Sequence, residues 1–539
     1  MKRINLALAI TAIFLFGTAF YSCKNPTEGV TININTHVLK SPTAVKFVNA
    51  KKNAPNQPTD FPVTVGGKDA ASVVTITNKT TFVATEGRIF LALKKGIVPS
   101  ESDPIIFTIA AEVPGFAPAT HTFRITKDVP LSVVVPMVEY ANPVVGTAAK
   151  IQDHLLVAGT TADAITIQTP SIAGMDEQAT ITIAPGTQFK DIAGNAINAV
   201  KLESRVVNYG TSSNESLATF PGGFNAASVV GENGQLVTAG VAFTTAGFIA
   251  IDMYAGATEV KSFSKPLNVN MEINKNVMNP VTGQKVKAGD VLPVWSLDDK
   301  AGQWAFESNA TIIADAAGDL NASFSASHLS YWNFDWASAF CTNELTLVFN
   351  AEDYLNDSYS VAIINDKGYS SASTLSIADK LTTSFRVPTG NIKVIVRDIN
   401  GNVVTETPYF DACAAGTVTL NMPKAADLDI VNVDLVLKGS CPNKPVNANL
   451  STWVRLYEQI KGVQNSYVVY MVNGKINLKV KNNAKYVVEA YYGDQWKTTE
   501  ILFTKANFSF PGFITGTAVF VESTKTLSVD AQFPLPDCN

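Results

Sequence analysis

The sequence predicts an all-β protein built from tandem β-sandwich domains. Three observations carry that expectation. Runs rich in Val, Ile, Thr and Phe recur along the chain, and Gly, Pro and Asn separate them. After the first segment, no stretch shows the apolar periodicity of an amphipathic helix. Charged residues make up 16% of the chain, below the roughly 25% of an ordinary soluble protein. Thr, Ser, Asn, Ala and Val fill the gap, a composition suited to sheets outside the cytosol.

The chain has 539 residues, enough for roughly three to five domains, each with its own core. Its net charge of −5 supplies no basic field, so no nucleic-acid partner is expected. Residues 1–22 have the form of a secretion signal. Lys2 and Arg3 precede an apolar run from Leu6 to Phe20, which is short for a membrane span. The run ends at Phe20-Tyr21-Ser22-Cys23. Ser22 before Cys23 resembles the lipobox of bacterial lipoproteins, in the looser form found in Bacteroidetes. The resemblance implies cleavage before Cys23, acylation of its thiol and attachment to the outer membrane. Two or more acyl chains would make that attachment durable. Lys24-Asn25-Pro26 carries no acidic run, so either face of the outer membrane stays open.

Residues 23–33 are expected to be a tether. The first sandwich is placed at 34–145, with strands in DFPVTV, SVVTITN, RIFLALKK, PIIFTIAAEV, THTFRIT and LSVVVPMV. A second module is placed at 146–336. It holds ATITIAPGTQF, a hairpin turn at Asn233-Gly234, and the most informative stretch of the chain, Lys287 to Trp336. There VLPVWSL meets the turn DDKAG and returns as QWAFESNATI, so Trp295 and Trp304 are expected to meet across a hairpin. SASHLSYWNFDW closes the unit, with Tyr331, Trp332, Phe334 and Trp336 as core candidates.

ATITIAPGTQF resembles the strand entry of ZU5-like domains. GDVLPVWSLDDKAGQW followed by HLSYWNFDW resembles a module of Bacteroidetes lipoproteins, with related segments in cartilage intermediate layer proteins. The resemblance covers about 150–336. It implies a sandwich at the cell exterior and transfers no enzymatic activity. A third domain at 337–423 contains FRVPTG before a hairpin at Asn400-Gly401 and resembles carboxypeptidase-regulatory-like sandwiches. A fourth sandwich occupies 424–539, with a hairpin around Asn473-Gly474. The expected folds are of the immunoglobulin-like or prealbumin-like kind.

Five cysteines leave four once Cys23 is lipidated: Cys341, Cys413, Cys441 and Cys538. No CxxC occurs, so a zinc ribbon is excluded. Four cysteines allow three connectivities. Cys341–Cys413 and Cys441–Cys538 is the expected one, because each pair then brackets one domain.

No nucleotide, zinc-protease or serine-hydrolase motif is present. The four histidines are scattered, and Asp298-Asp299 is expected to be a solvated hairpin tip. Neither a metal nor another cofactor is expected. His328-Leu329-Ser330 resembles the motif at which GAIN and some ZU5 domains cut themselves. There a hydroxyl attacks the preceding carbonyl with an imidazole as base. The competing reading is a packed histidine bonded to a backbone carbonyl. In the fourth domain, Tyr491, Tyr492 and Trp496 are candidates for stacking on a glycan, against a role in packing.

The sequence therefore predicts a non-catalytic envelope lipoprotein, anchored to the membrane through Cys23 and serving as a structural or adhesive module for a protein or glycan ligand. The alternatives are a glycan-binding accessory protein of a polysaccharide uptake system, and a module that cleaves itself at Leu329–Ser330.

Overall fold

The computed structural model describes residues 32–36, 38–352, 357–377, 379–398, 401–423, 429–441, 443–458, 466–492, 495–505, 508–512 and 514–535. Strands dominate. Helix among the described residues is limited to the turn Asn214–Leu217 and two short 3-10 turns. The chain divides into two compact units. One spans 39–428. The other takes the chain from 429 onward together with the strand Ile32–Asn35.

The first sandwich pairs two four-stranded sheets. One contains Lys40–Asn49 and Leu131–Met137. The other contains Phe61–Gly66, Ile105–Ala111 and Ala119–Ile125. Alternation places Val45, Phe47, Val63, Ile109 and Phe123 in the core between them. Phe107 and Phe123 stack there with ring centroids 4.8 Å apart.

The second sandwich packs a nine-stranded sheet on a six-stranded one. Both faces of the larger sheet are covered. Tyr331–Ser338 shows why its aromatic residues are not confined to alternate positions. Trp332, Phe334 and Trp336 enter the core shared with Ile181, Val269 and Phe324. Tyr331 points the other way, into a core that also holds Phe243, Phe248, Trp295 and Trp304. That second core continues into the third sandwich through Leu345, Leu347, Val361 and Val394. The second and third sandwiches thus share one core, because the strands between them carry apolar side chains on both faces.

The third sandwich comprises a three-stranded sheet, with Leu345–Asn350 at its centre, and a five-stranded sheet. Asn400 of the hairpin turn expected in this domain lies outside the described residues. The last unit comprises a six-stranded and a four-stranded sheet. Its surprise is Ile32–Asn35. The sequence places these residues at the junction of tether and first domain. They pair instead in parallel with Val446–Asn449, Ile32 opposite Val446 and Asn35 opposite Asn449. Four residues of alternating ININ have the strand period but too little length to announce a partner.

Candidate functional site

The feature that recurs is the placement of first and last strands. In the first sandwich, Lys40–Asn49 lies parallel beside Leu131–Met137. In the third, Leu345–Asn350 lies parallel beside Thr417–Asn421. In the last unit, Ile430–Ser440 lies parallel beside Thr526–Pro534, from Asn432 opposite Thr526 to Ser440 opposite Pro534. Parallel neighbours put the entry and exit of a domain at opposite ends of one ladder. Tension applied through the chain then shears all the ladder bonds together, whereas an antiparallel pair would open one bond at a time.

The second sandwich is different. Its first strand, Thr147–Leu155, is separated from its last, Tyr331–Ser338, by two strands. Register carries Thr147 across Tyr209 and Phe248 to Asn333, so chain entry and exit lie toward one end of the sheet. Around that base the first and third sandwiches meet directly. Arg124 pairs with Glu344 at 2.8 Å.

Cys341 and Cys413 form a disulfide with Cα atoms 5.1 Å apart. It ties the chain just before Leu345–Asn350 to the chain just before Thr417–Asn421. Cys441 is also disulfide-bonded; its expected partner Cys538 lies outside the described residues. Cys23 lies outside them as well.

The turn of the DDKAG segment is the solvated tip expected from sequence on one side only: Asp298 and Lys300 are exposed, while its backbone docks on the first sandwich. Thr120 Oγ1 of the first sandwich donates to the Asp299 carbonyl at 2.9 Å. Gly302 is buried, and a Cβ there would fall 1.9 Å from Thr108 Oγ1. Polar turn residues indicated water, but glycine at the close approach serves a docked backbone. The hairpin register also differs. A bulge between Val294 and Trp295 sets Trp295 opposite Phe306 and Leu297 opposite Trp304. Both tryptophans pack on Phe243 instead, with centroids 5.2 and 5.3 Å away.

His328, Leu329 and Ser330 sit at the tight connection between Leu320–His328 and Tyr331–Ser338. His328 Nε2 lies 3.3 Å from Glu307 Oε1, and that bond raises the imidazole pKa. Its Nδ1 lies 3.4 Å from the Leu329 carbonyl oxygen. Ser330 Oγ donates to the Leu297 carbonyl at 2.6 Å. The imidazole therefore faces the carbonyl oxygen, and the hydroxyl proton is directed at Leu297. Base-assisted attack would require the imidazole on the hydroxyl.

In the last unit, Tyr491 and Trp496 meet edge to face, with planes at 73°. The Arg455 guanidinium lies 4.7 Å over the Trp496 ring. Arg455 is itself buried and paired with Glu489, and Thr498 Oγ1 donates to Glu489. The two rings thus form no coplanar pair, and a cation covers one face of Trp496. Tyr492 belongs to the same strand, Ala484–Tyr492.

Sequence reasoning missed Asn333 and Asp335. Both are buried, and Asn333 Nδ2 donates to Asp335 Oδ2 at 2.5 Å. Burial pushes the Asp335 carboxyl up to about 8. A polar pair inside an aromatic strand was the available signal. Among the described residues, no cluster of three or more His, Cys, Asp or Glu is placed to hold a metal. No helix among them is long and apolar enough to cross a membrane.

No protein-family model matches the chain, and no curated protein does either. Several solved structures are similar in part. A minor pilin of Streptococcus agalactiae, GBS52, is 11% identical and covers 36% of this chain and 98% of its own, at TM-score 0.13. A major pilin subunit of Bacillus cereus, BcpA in a variant form, is 9% identical over 91% of this chain and 99% of its own, at TM-score 0.13. The pilus adhesin SpaC of Lactobacillus rhamnosus GG is 12% identical over 72% of this chain and 56% of its own, at TM-score 0.15.

Proposed function

We propose that this chain is a non-catalytic, tension-resisting module of a cell envelope. In this reading it is held at the outer membrane by a lipid on Cys23 and presents its second sandwich sideways to a protein ligand. The observation that carries the reading is the parallel pairing of first and last strands in three sandwiches. A stalk under traction gains from that geometry. The ion pair of Arg124 with Glu344 supports a path that passes from first to third sandwich at the base of the second. The Cys341–Cys413 bond adds a covalent shortcut in the third.

Extension of single molecules from their two ends tests the reading. The clamped first and last sandwiches are expected to rupture abruptly, and the third to do so once its disulfide is reduced. The oxidised third sandwich keeps the chain between Cys341 and Cys413 slack, because tension passes through sulfur. A reductant should release those 72 residues, adding about 250 Å at ~3.5 Å per residue. Gradual peeling at low force, with an extension indifferent to reductant, would overturn the proposal. The anchor has its own check. Labelled palmitate should enter the wild-type chain and be absent from Cys23→Ala.

A further inference from the structure

The sandwich of the last unit does not close over its core. A cavity of about 550 Å³ opens between its two sheets, within the roughly 300–1,000 Å³ range of small-ligand sites. One wall is made by Leu435 and Leu437 from Ile430–Ser440, with Val529 and Phe533 from the neighbouring Thr526–Pro534. The facing wall is made by Val488 and Ala490 with Ile501. Register explains the second wall. Ala490 stands opposite Lys497, and Val488 opposite Thr499, so alternate residues of both strands turn to the same side. Phe508 and Phe510 stand at the cavity as an edge-to-face pair, centroids 5.2 Å apart.

In a closed sandwich these positions would be buried. Here Leu435, Leu437, Val488, Ala490 and Ile501 all remain partly exposed. Apolar surface of this kind, concave and gathered in one place, is what a long apolar ligand removes from water. The walls supply almost no directional hydrogen-bonding groups, which disfavours a sugar or a nucleotide. The polar lining is confined to Lys497, Thr498 and Thr499, neighbours on one strand. A single cation in the lining of an apolar cavity complements a single anionic head on an apolar tail.

We propose that this cavity binds the aliphatic chain of a fatty acid or acyl lipid, with the anionic head beside Lys497. One wall of the site is the strand clamp of the last unit, but ligand binding is read at equilibrium and rupture under load, so either proposal can fail alone.

The test uses the chain from residue 24, which keeps every described strand. Titration with cis-parinaric acid should give saturable binding with one probe per chain. Palmitate should displace it more effectively than hexadecyltrimethylammonium, which has a similar tail and the opposite charge. Ala490→Trp fills the slot and should weaken probe binding by about tenfold or more. Lys497→Glu should leave hexadecyltrimethylammonium binding undiminished and weaken palmitate and the probe, both carboxylates, by roughly threefold. Circular dichroism and melting establish that each variant is folded. Absence of saturable binding overturns the proposal, and so does undiminished binding by a folded Ala490→Trp. If Ala490→Trp does not fold, Lys497→Glu decides, because an unchanged preference for palmitate removes the head-group assignment. Membrane-extracted full chain distinguishes the source. Probe binding equal to that of the soluble chain means an outside lipid, and blocked binding means that the chain's own acyl group fills the slot.

Discussion

Asp335 has no exposed surface, and its ordinary pKa near 3.8 rises to about 8 through burial. At neutral pH the folded protein therefore keeps this carboxyl largely protonated. A carboxyl raised on folding contributes stability that is complete below its unfolded pKa. That contribution is lost as pH climbs through the folded value. The window for Asp335 runs from about pH 4 to above pH 8. Asp335→Asn keeps the shape and removes the titration. It should be close to wild type at pH 4 and more stable than wild type at pH 9, by on the order of a few kcal/mol. Denaturant melts at the two pH values check this, and an equal offset at both would refute it. Trp304 is the contrasting residue. It is 1% exposed and packs against Phe220 and Phe243. Trp304→Ala should cost about 3–5 kcal/mol at every pH, measured in the same melts.

At the scale of the element, the turn between Val291–Asp298 and Gln303–Thr311 carries the most specific expectation. Gly302 has φ +65°, and its missing Cβ leaves room for Thr108. Gly318 has φ +83°, and a methyl group added there would meet nothing within 4 Å. Gly302→Ala and Gly318→Ala thus share backbone strain, while only the first also displaces the neighbouring sandwich. Gly302→Ala should lose roughly 1–3 kcal/mol more than its control. Equal losses would mean that the turn is not docked in solution. Ser330 makes a second case. With Oγ donating to Leu297, Ser330→Ala should cost about 1 kcal/mol, and the wild-type chain should show one full-length mass after denaturation. These elements also show where sequence reading succeeds and where it stops. Tyr331, Trp332, Phe334 and Trp336 are buried as their apolar run implied, because the strand is covered on both faces and carries aromatic side chains to each. The Cys341–Cys413 pair was likewise legible, since both cysteines flank one set of strands. The partner of Ile32–Asn35, some 400 residues away along the chain, was not. Parallel pairing has no turn of its own and leaves no local mark. The apolar cavity was hidden for a related reason. Leu435 or Val488 reads as core whether or not the facing sheet closes.

For the whole molecule, the shared core between second and third sandwiches sets how a local defect spreads. Leu345, Leu347 and Val394 of the third belong to the same buried cluster as Phe243, Trp295 and Trp304 of the second. Domains joined this way should unfold as one unit, because separating them exposes apolar surface on both. The Cys341–Cys413 bond provides a handle placed entirely in the third sandwich. Its ends are 72 residues apart, and a loop of that length predicts a loss of about 4 kcal/mol when the bond is removed. Four of the six tryptophans, Trp295, Trp304, Trp332 and Trp336, lie in the second sandwich. Tryptophan emission therefore reports mainly on a sandwich that the disulfide does not touch. In the Cys341→Ala, Cys413→Ala double variant, the emission transition should move to lower denaturant together with loss of the third sandwich. If emission melts at the wild-type midpoint while the third sandwich has already unfolded, the two cores are energetically separate and the second sandwich stands alone.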